Sequence, residues 1–119
     1  MEFKDILRDL VKRIDGGRAA VLMGYDGIAI DEYRAEGVGT DIQLIGIEYT
    51  SIIKEIKRAS GILEGGELAE VSVMTENGIV VVREVSKDYF LMANLAPEGN
   101  LGKARYLMKL AVPKLNEQL

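Results

Sequence analysis

The chain opens with apolar residues at helical spacing. They recur every three or four positions between Phe3 and Ile14, which is the period of an amphipathic helix. Two glycines follow, Gly16 and Gly17, and glycine accepts the left-handed backbone that ends many helices. The pattern predicts a first helix over about residues 3–15.

Short apolar runs separated by turn residues predict five strands. The stretch 18–24 is apolar on both faces, which indicates a central strand covered on both sides. Asp26-Gly27 and Asn77-Gly78 each stand between two apolar runs, which is a strong hairpin signal. The predicted strands are 18–24, 28–33, 67–75, 79–85 and 89–95.

Two further helices complete the order. Thr40 or Asp41 can cap a long helix that runs to about residue 60, and Asn100 can cap a last one. Pro113 lies inside that last apolar pattern and is expected to end or kink the helix. The order α-β-β-α-β-β-β-α predicts one α+β domain over 1–119. A mainly antiparallel sheet would carry helices packed on it.

The long helix has apolar residues on two sides. At 100° per residue, one face, expected to pack on the sheet, collects Ile42, Ile45, Tyr49, Ile52, Ile53, Ile56, Ala59 and Leu63. Leu44 and Ile47 point the other way, on a stripe with Ser51, Lys54 and Arg58. A helix that covers a sheet is normally polar there, so this outer stripe is a candidate interface. Isolated surface aliphatics are the alternative.

The predicted strand 67–75 resembles a half-exposed sheet edge. Ala69, Val71 and Val73 share one of its faces, while the other carries charge. An unprotected edge invites pairing with another copy, and a two-fold pair closes on itself. We therefore expect a homodimer that uses these three residues.

Composition excludes several classes of function. The chain has no Cys and no His, which removes disulfides, thiol catalysis and the commonest general base. A net charge of −4 with scattered Lys and Arg, and no Trp, does not suit nucleic acid. No apolar run approaches the roughly 20 residues of a membrane span, and the N-terminus lacks a signal-peptide pattern. A cytoplasmic location is the default expectation.

Candidate chemistry is weak. The acids Asp26, Asp31, Glu32, Glu36 and Asp41 could ligate a metal, but apolar residues occupy the alternate positions that a calcium loop needs. A hairpin corner explains Asp26-Gly27 better. The stretch GNLGKAR, residues 99–105, has the wrong glycine spacing for a phosphate loop. We expect no enzyme activity of the chain itself, no cofactor and no metal.

Four stretches together resemble the roadblock family, which includes dynein light chains and bacterial and archaeal regulators of Ras-like GTPases. They are RAAVLMGYDGIAID, TDIQLIGIEYTSIIKEIKRAS, EVSVMTENGIVVVREVSKDYFLMANL and NLGKARYLM. The resemblance implies a three-layer roadblock/profilin-like fold with strand order 2-1-5-4-3. The first and third helices would lie on one face and the long helix on the other.

The resemblance also implies a function. Family dimers, paired through the third strand and the long helix, bind small Ras-like GTPases as activators or scaffolds. This pairing maps onto residues 67–75 and onto the face of Leu44 and Ile47, so the outer stripe is a candidate dimer or partner interface. If an inserted arginine assists hydrolysis, the candidates are Arg18, Arg34, Arg58, Arg83 and Arg105, of which Arg34 is expected in a flexible loop. The alternatives are a dimerisation module without nucleotide dependence and a small-ligand sensor.

Overall fold

The computed structural model describes residues 2–119, and its elements follow the predicted order. They are α1 (Phe3–Arg13), β1 (Gly17–Gly24), β2 (Ala29–Arg34), α2 (Ile42–Ile62), β3 (Glu70–Thr75), β4 (Gly78–Glu84), β5 (Tyr89–Leu95) and α3 (Leu101–Gln118). The strands form one antiparallel sheet in the order β2-β1-β5-β4-β3. The fold and the strand order that the resemblance implied are therefore confirmed.

Alternate residues of β1 pack in opposite layers. Ala20 and Leu22 join the cluster beneath α1 and α3, while Val21 and Met23 join the cluster beneath α2. All four side chains are fully buried. The run of apolar residues on both faces therefore predicted a central strand correctly, because side chains alternate across a sheet.

The third strand is shorter than predicted. β3 begins at Glu70, so Ala69 precedes it and is exposed. Leu68 packs in the cluster beneath α2, as Val71 and Val73 do, although strict alternation along the predicted strand 67–75 places it on the opposite face from them. The chain is still turning just before this point, since Glu64 and Gly66 both have positive φ. Residues 67–69 therefore do not follow the period of two.

The sheet-facing side of α2 was predicted only in part. Its buried residues are Ile42, Gly46, Thr50 and Ile53, whereas Ile52 is 53% exposed. Leu63, which follows α2, is 78% exposed, so placing Ile52 and Leu63 against the sheet was wrong. At Gly46, in the middle of this buried line, the helix backbone comes close to β1, because a glycine has no side chain to hold it away.

The last helix continues through its proline. α3 runs to Gln118, so the expectation that Pro113 ends it is wrong. Leu115 is fully buried, and the Asn116 side-chain amide donates a hydrogen bond of 2.9 Å to the carbonyl of Val85. These two contacts hold the segment after the proline in place. Within residues 2–119, none of the helices combines the length and the apolar run needed to cross a bilayer.

Replacing Pro113 with alanine is expected to raise the free energy of unfolding by up to about 3 kcal/mol, since alanine restores the missing helix N–H and removes the clash of the proline ring with the preceding turn. Pro113 is exposed, so the change disturbs no packing. Urea unfolding measures the effect, and Lys114→Ala, at the neighbouring exposed position, is the control. Equal or lower stability of Pro113→Ala would show that the helix bends to accommodate the proline without loss.

A candidate partner surface on the long helix and the edge strand

The Asp26-Gly27 stretch is the corner of the β1–β2 hairpin. The Asp26 carboxylate accepts a hydrogen bond of 3.0 Å from the backbone N–H of Ile28. Gly27 has a φ of +86°, a conformation that glycine adopts without steric cost. Asp26 therefore stabilises the turn, as a short polar side chain commonly does.

The other acidic candidates are engaged separately. Asp31 pairs with Lys4 at 3.2 Å, and Glu32 accepts a hydrogen bond of 2.6 Å from the Gln43 amide. Asp41 caps α2 by accepting from a backbone N–H of the first turn at 3.1 Å. In the part of the chain that the structure describes, no three Asp or Glu residues gather as metal ligands would.

The predicted outer stripe of α2 points away from the sheet. Leu44 is 53% and Ile47 is 50% exposed, and the three polar members, Ser51, Lys54 and Arg58, are exposed as well. We call these five residues the outer stripe. Its polar end and its apolar end lie on one accessible face, which a partner could cover.

The candidate arginines are mostly held by local contacts. Arg18 donates a hydrogen bond of 2.9 Å to the carbonyl of Asn77. Arg83 and Arg105 approach the Glu70 carboxylate at 3.7 and 2.8 Å. Side chains fixed in this way are poorly placed to enter another protein's active site.

The two remaining candidates are Arg34 and Arg58. Arg34 pairs with Ala19 as the last residue of β2, so its predicted place in a loop is wrong. Arg58 forms an ion pair with Glu55 on the solvent side of α2. The hydrogen bond from Arg58 lowers the pKa of the Glu55 carboxyl. Both groups are exposed, so the pair adds little stability.

The edge strand β3 has one backbone side unpaired by the described chain. The Ala69 carbonyl accepts from the Glu84 N–H at 3.1 Å, so backbone groups of alternate residues from 69 onward face β4. By the same alternation, those of Glu70, Ser72 and Met74 face outward. Unpaired N–H and C=O groups in a row are a template for another strand.

The α2 side of β3 is apolar and half-buried. Val71 pairs with Val82 and Val73 with Val80, and all four belong to the α2 layer. Both β3 valines were correctly predicted to share a face. Ala69, the third predicted member, is exposed just before the strand.

A second apolar stripe of α2 faces β3 and was missed as a surface. Ile45 and Tyr49 pack in the same cluster as Val71 and Val73. Ile52 and Ile56 continue their line along the helix at intervals of three and four, and Ile52 is half exposed. We call the set Ile45, Tyr49, Ile52, Ile56, Val71 and Val73 the α2–β3 surface. The small residues Gly46 and Thr50 were the signal that this stripe is not the one against the sheet.

Two of the concavities in the described chain illustrate why a small-ligand site is not favoured. The cleft between α1 and α3 encloses about 40 Å³. An open groove of about 410 Å³ lies between α2 and the β3–β4 hairpin. Its buried Asn94 amide already donates to the carbonyl of Ile79 and accepts from Thr40. The Asn94 side chain therefore already has partners within the protein, whereas a ligand site needs convergent free polar groups.

Comparison with known proteins gives matches among solved structures. Neither protein-family models nor curated proteins match the chain. MglC from Myxococcus xanthus is 34% identical over 100% of both chains, with a TM-score of 0.72. A Roadblock/LC7 domain from Streptomyces avermitilis is 17% identical over 99% of this chain and 98% of its own, with a TM-score of 0.85. MglB in a tetrameric arrangement is 18% identical, covers 93% and 82% of the two chains, and has a TM-score of 0.84.

These structures share the five-stranded antiparallel sheet with three helices, which is the Roadblock/LC7 architecture. The identity to MglC extends over the full length of both chains. The chain belongs to the Roadblock/LC7 family.

Proposed function

We propose that this protein is a cytoplasmic homodimer that binds and regulates a small Ras-like GTPase without an active site of its own. Family membership supports this proposal, because binding of small GTPases is what the resemblance implies. The observation that carries it is the accessible apolar α2–β3 surface beside an unpaired strand edge.

Self-association would use the α2–β3 surface. Antiparallel pairing of two β3 strands satisfies the outward backbone groups and brings the two apolar surfaces together. A two-fold axis makes the contact closed, so it stops at two copies. The tetrameric arrangement of the structurally similar MglB supports a tendency to assemble.

The GTPase would bind the outer stripe. This face points away from the sheet. Leu44 and Ile47 offer apolar anchors, and Lys54 and Arg58 offer positive charge beside them. Regulation would then come from a higher affinity for one nucleotide state of the GTPase, since a ligand shifts an equilibrium only by differential binding. The chain would act as a scaffold or as an activator in this way.

A nucleotide-dependent pull-down tests the proposal. The wild type is expected to retain a GTPase of about 20 kDa, a common size for one domain. The amount retained is expected to differ between the sample with a GTP analogue and the sample with GDP. The retained protein is identified by mass spectrometry, purified and titrated in both nucleotide states. Leu44→Asp with Ile47→Asp is expected to weaken that binding about tenfold, because two anchors of the interface become charged.

The matched control is Tyr106→Asp with Leu110→Asp, which charges two exposed residues of α3 on the other side of the sheet. Equal affinity for both nucleotide states would favour the dimerisation module without nucleotide dependence. Unchanged binding by the Leu44/Ile47 variant would place the GTPase elsewhere.

A further inference from the structure

The second half of α2 has little apolar anchorage. Ile53 is the last fully buried residue of the helix, and residues 54–62 are half-buried or exposed. Yet Ile56, part of the α2–β3 surface, lies in this half. Its position relative to β3 therefore depends on some other contact.

Lys57 supplies that contact. Its ammonium nitrogen lies 2.6 Å from a carboxylate oxygen of Glu84, at the end of β4. The same nitrogen is 3.9 Å from the centre of the Tyr25 ring and 3.4 Å from the carbonyl oxygen of Lys87. Only 23% of the Lys57 side chain and 12% of the Glu84 side chain are exposed. A solvated surface lysine would not show this convergence.

The groups that receive Lys57 are themselves fixed. The Tyr25 hydroxyl donates a hydrogen bond of 2.8 Å to Glu84, and its ring packs at 5.1 Å from the ring of the fully buried Phe90. Burial and the bond to Glu84 raise the pKa of Tyr25, so the hydroxyl remains a donor at neutral pH. Lys57 thus joins α2 to β4 and to both turns at one end of the sheet.

We propose that Lys57 is a positioning residue that sets the separation of the second half of α2 from β3, and hence the shape of the α2–β3 surface. The consequence for self-association rests on the proposed function. The effect of Lys57 on the position of the helix is independent of the proposed function.

Positioning can be separated from stability. Removing one partner of a partly buried ion pair destabilises a protein because the other charge is left unpaired. Removing both charges restores most of the stability, but the helix then lacks the contact between Lys57 and Glu84 that holds it to β4. Lys57→Met keeps the aliphatic stem, and Glu84→Gln keeps an acceptor for Tyr25.

Hydrogen exchange of the intact protein tests whether Lys57 holds the second half of α2 in position. In the double variant Lys57→Met with Glu84→Gln, amides of residues 54–62 are expected to exchange about tenfold faster, because local opening is easier. Its urea midpoint is expected to stay near that of the wild type. Lys54→Met, the same change one turn earlier on the exposed face, is the control and is expected to leave exchange unchanged.

Wild-type exchange in the double variant would overturn the proposal, and so would equally fast exchange in Lys54→Met. A dilution series by sedimentation velocity adds the second readout, in which the double variant is expected to self-associate about tenfold more weakly. If the wild type proves monomeric, the proposed dimer fails, and the exchange comparison still decides the role of Lys57.

Discussion

Replacing Ile52 with glutamate is expected to weaken self-association about 100-fold, because a carboxylate would be buried without a partner in the centre of the proposed dimer interface. Ile52 lies on the α2–β3 surface and is 53% exposed in the single chain. The monomer therefore loses little packing, and its fold is expected to persist. Sedimentation velocity over a dilution series measures the shift from dimer to monomer.

Ile47 provides a closely matched control for this experiment. It is the same residue type on the same helix, is 50% exposed, and belongs to the outer stripe. Ile47→Glu is expected to leave self-association intact and to weaken GTPase binding. If Ile47→Glu is monomeric and Ile52→Glu is still dimeric, the outer stripe mediates self-association and the α2–β3 surface does not.

Replacing Gly46 with valine is expected to lower the free energy of unfolding by about 3 kcal/mol, since overpacking strains a closed core. A Cβ atom at Gly46 would stand 2.8 Å from the Met23 sulfur, far inside contact distance. Met23 is fully buried, so the end of its side chain can move away only by repacking against its neighbours in the core. The valine would push α2 off β1, and urea unfolding would measure the cost.

A double-mutant cycle with Met23→Ala identifies the cause. Met23→Ala alone is expected to cost about 3 kcal/mol through the cavity it leaves. Combined with Gly46→Val, it is expected to cost less than the sum of the two, because the valine fills part of that cavity. Simple additivity would mean that Gly46 matters for another reason, such as backbone conformation.

Local chemistry alone determined much of the fold. The Asp26-Gly27 turn, the two-sided apolar run of β1 and the side-chain caps of α2 and α3 by Asp41 and Asn100 were all predictable. The second hairpin was also predicted, although its turn lies at residues 76–77 and Gly78 already pairs with Thr75 in the sheet. Each depends on neighbours within a few residues. The outward direction of Leu44 and Ile47 follows equally from helical geometry.

Other features depended on contacts between distant elements. Pro113 is tolerated because Leu115 is buried and Asn116 reaches Val85. The convergence of Tyr25, Lys57 and Glu84 joins positions far apart in the chain. The spacing of residues along the sequence predicts neither arrangement.

The functional surface divides in the same way. The sequence by itself determined the element order, the family and the existence of two apolar stripes on α2. Only the tertiary structure divided the predicted sheet-facing side into a line that packs on the sheet and a stripe that remains accessible beside β3. The physical reason is that packing selects the line of closest approach. Here that line runs along Ile42, Gly46, Thr50 and Ile53, and Ile52, on the neighbouring side of the helix, is left at the surface.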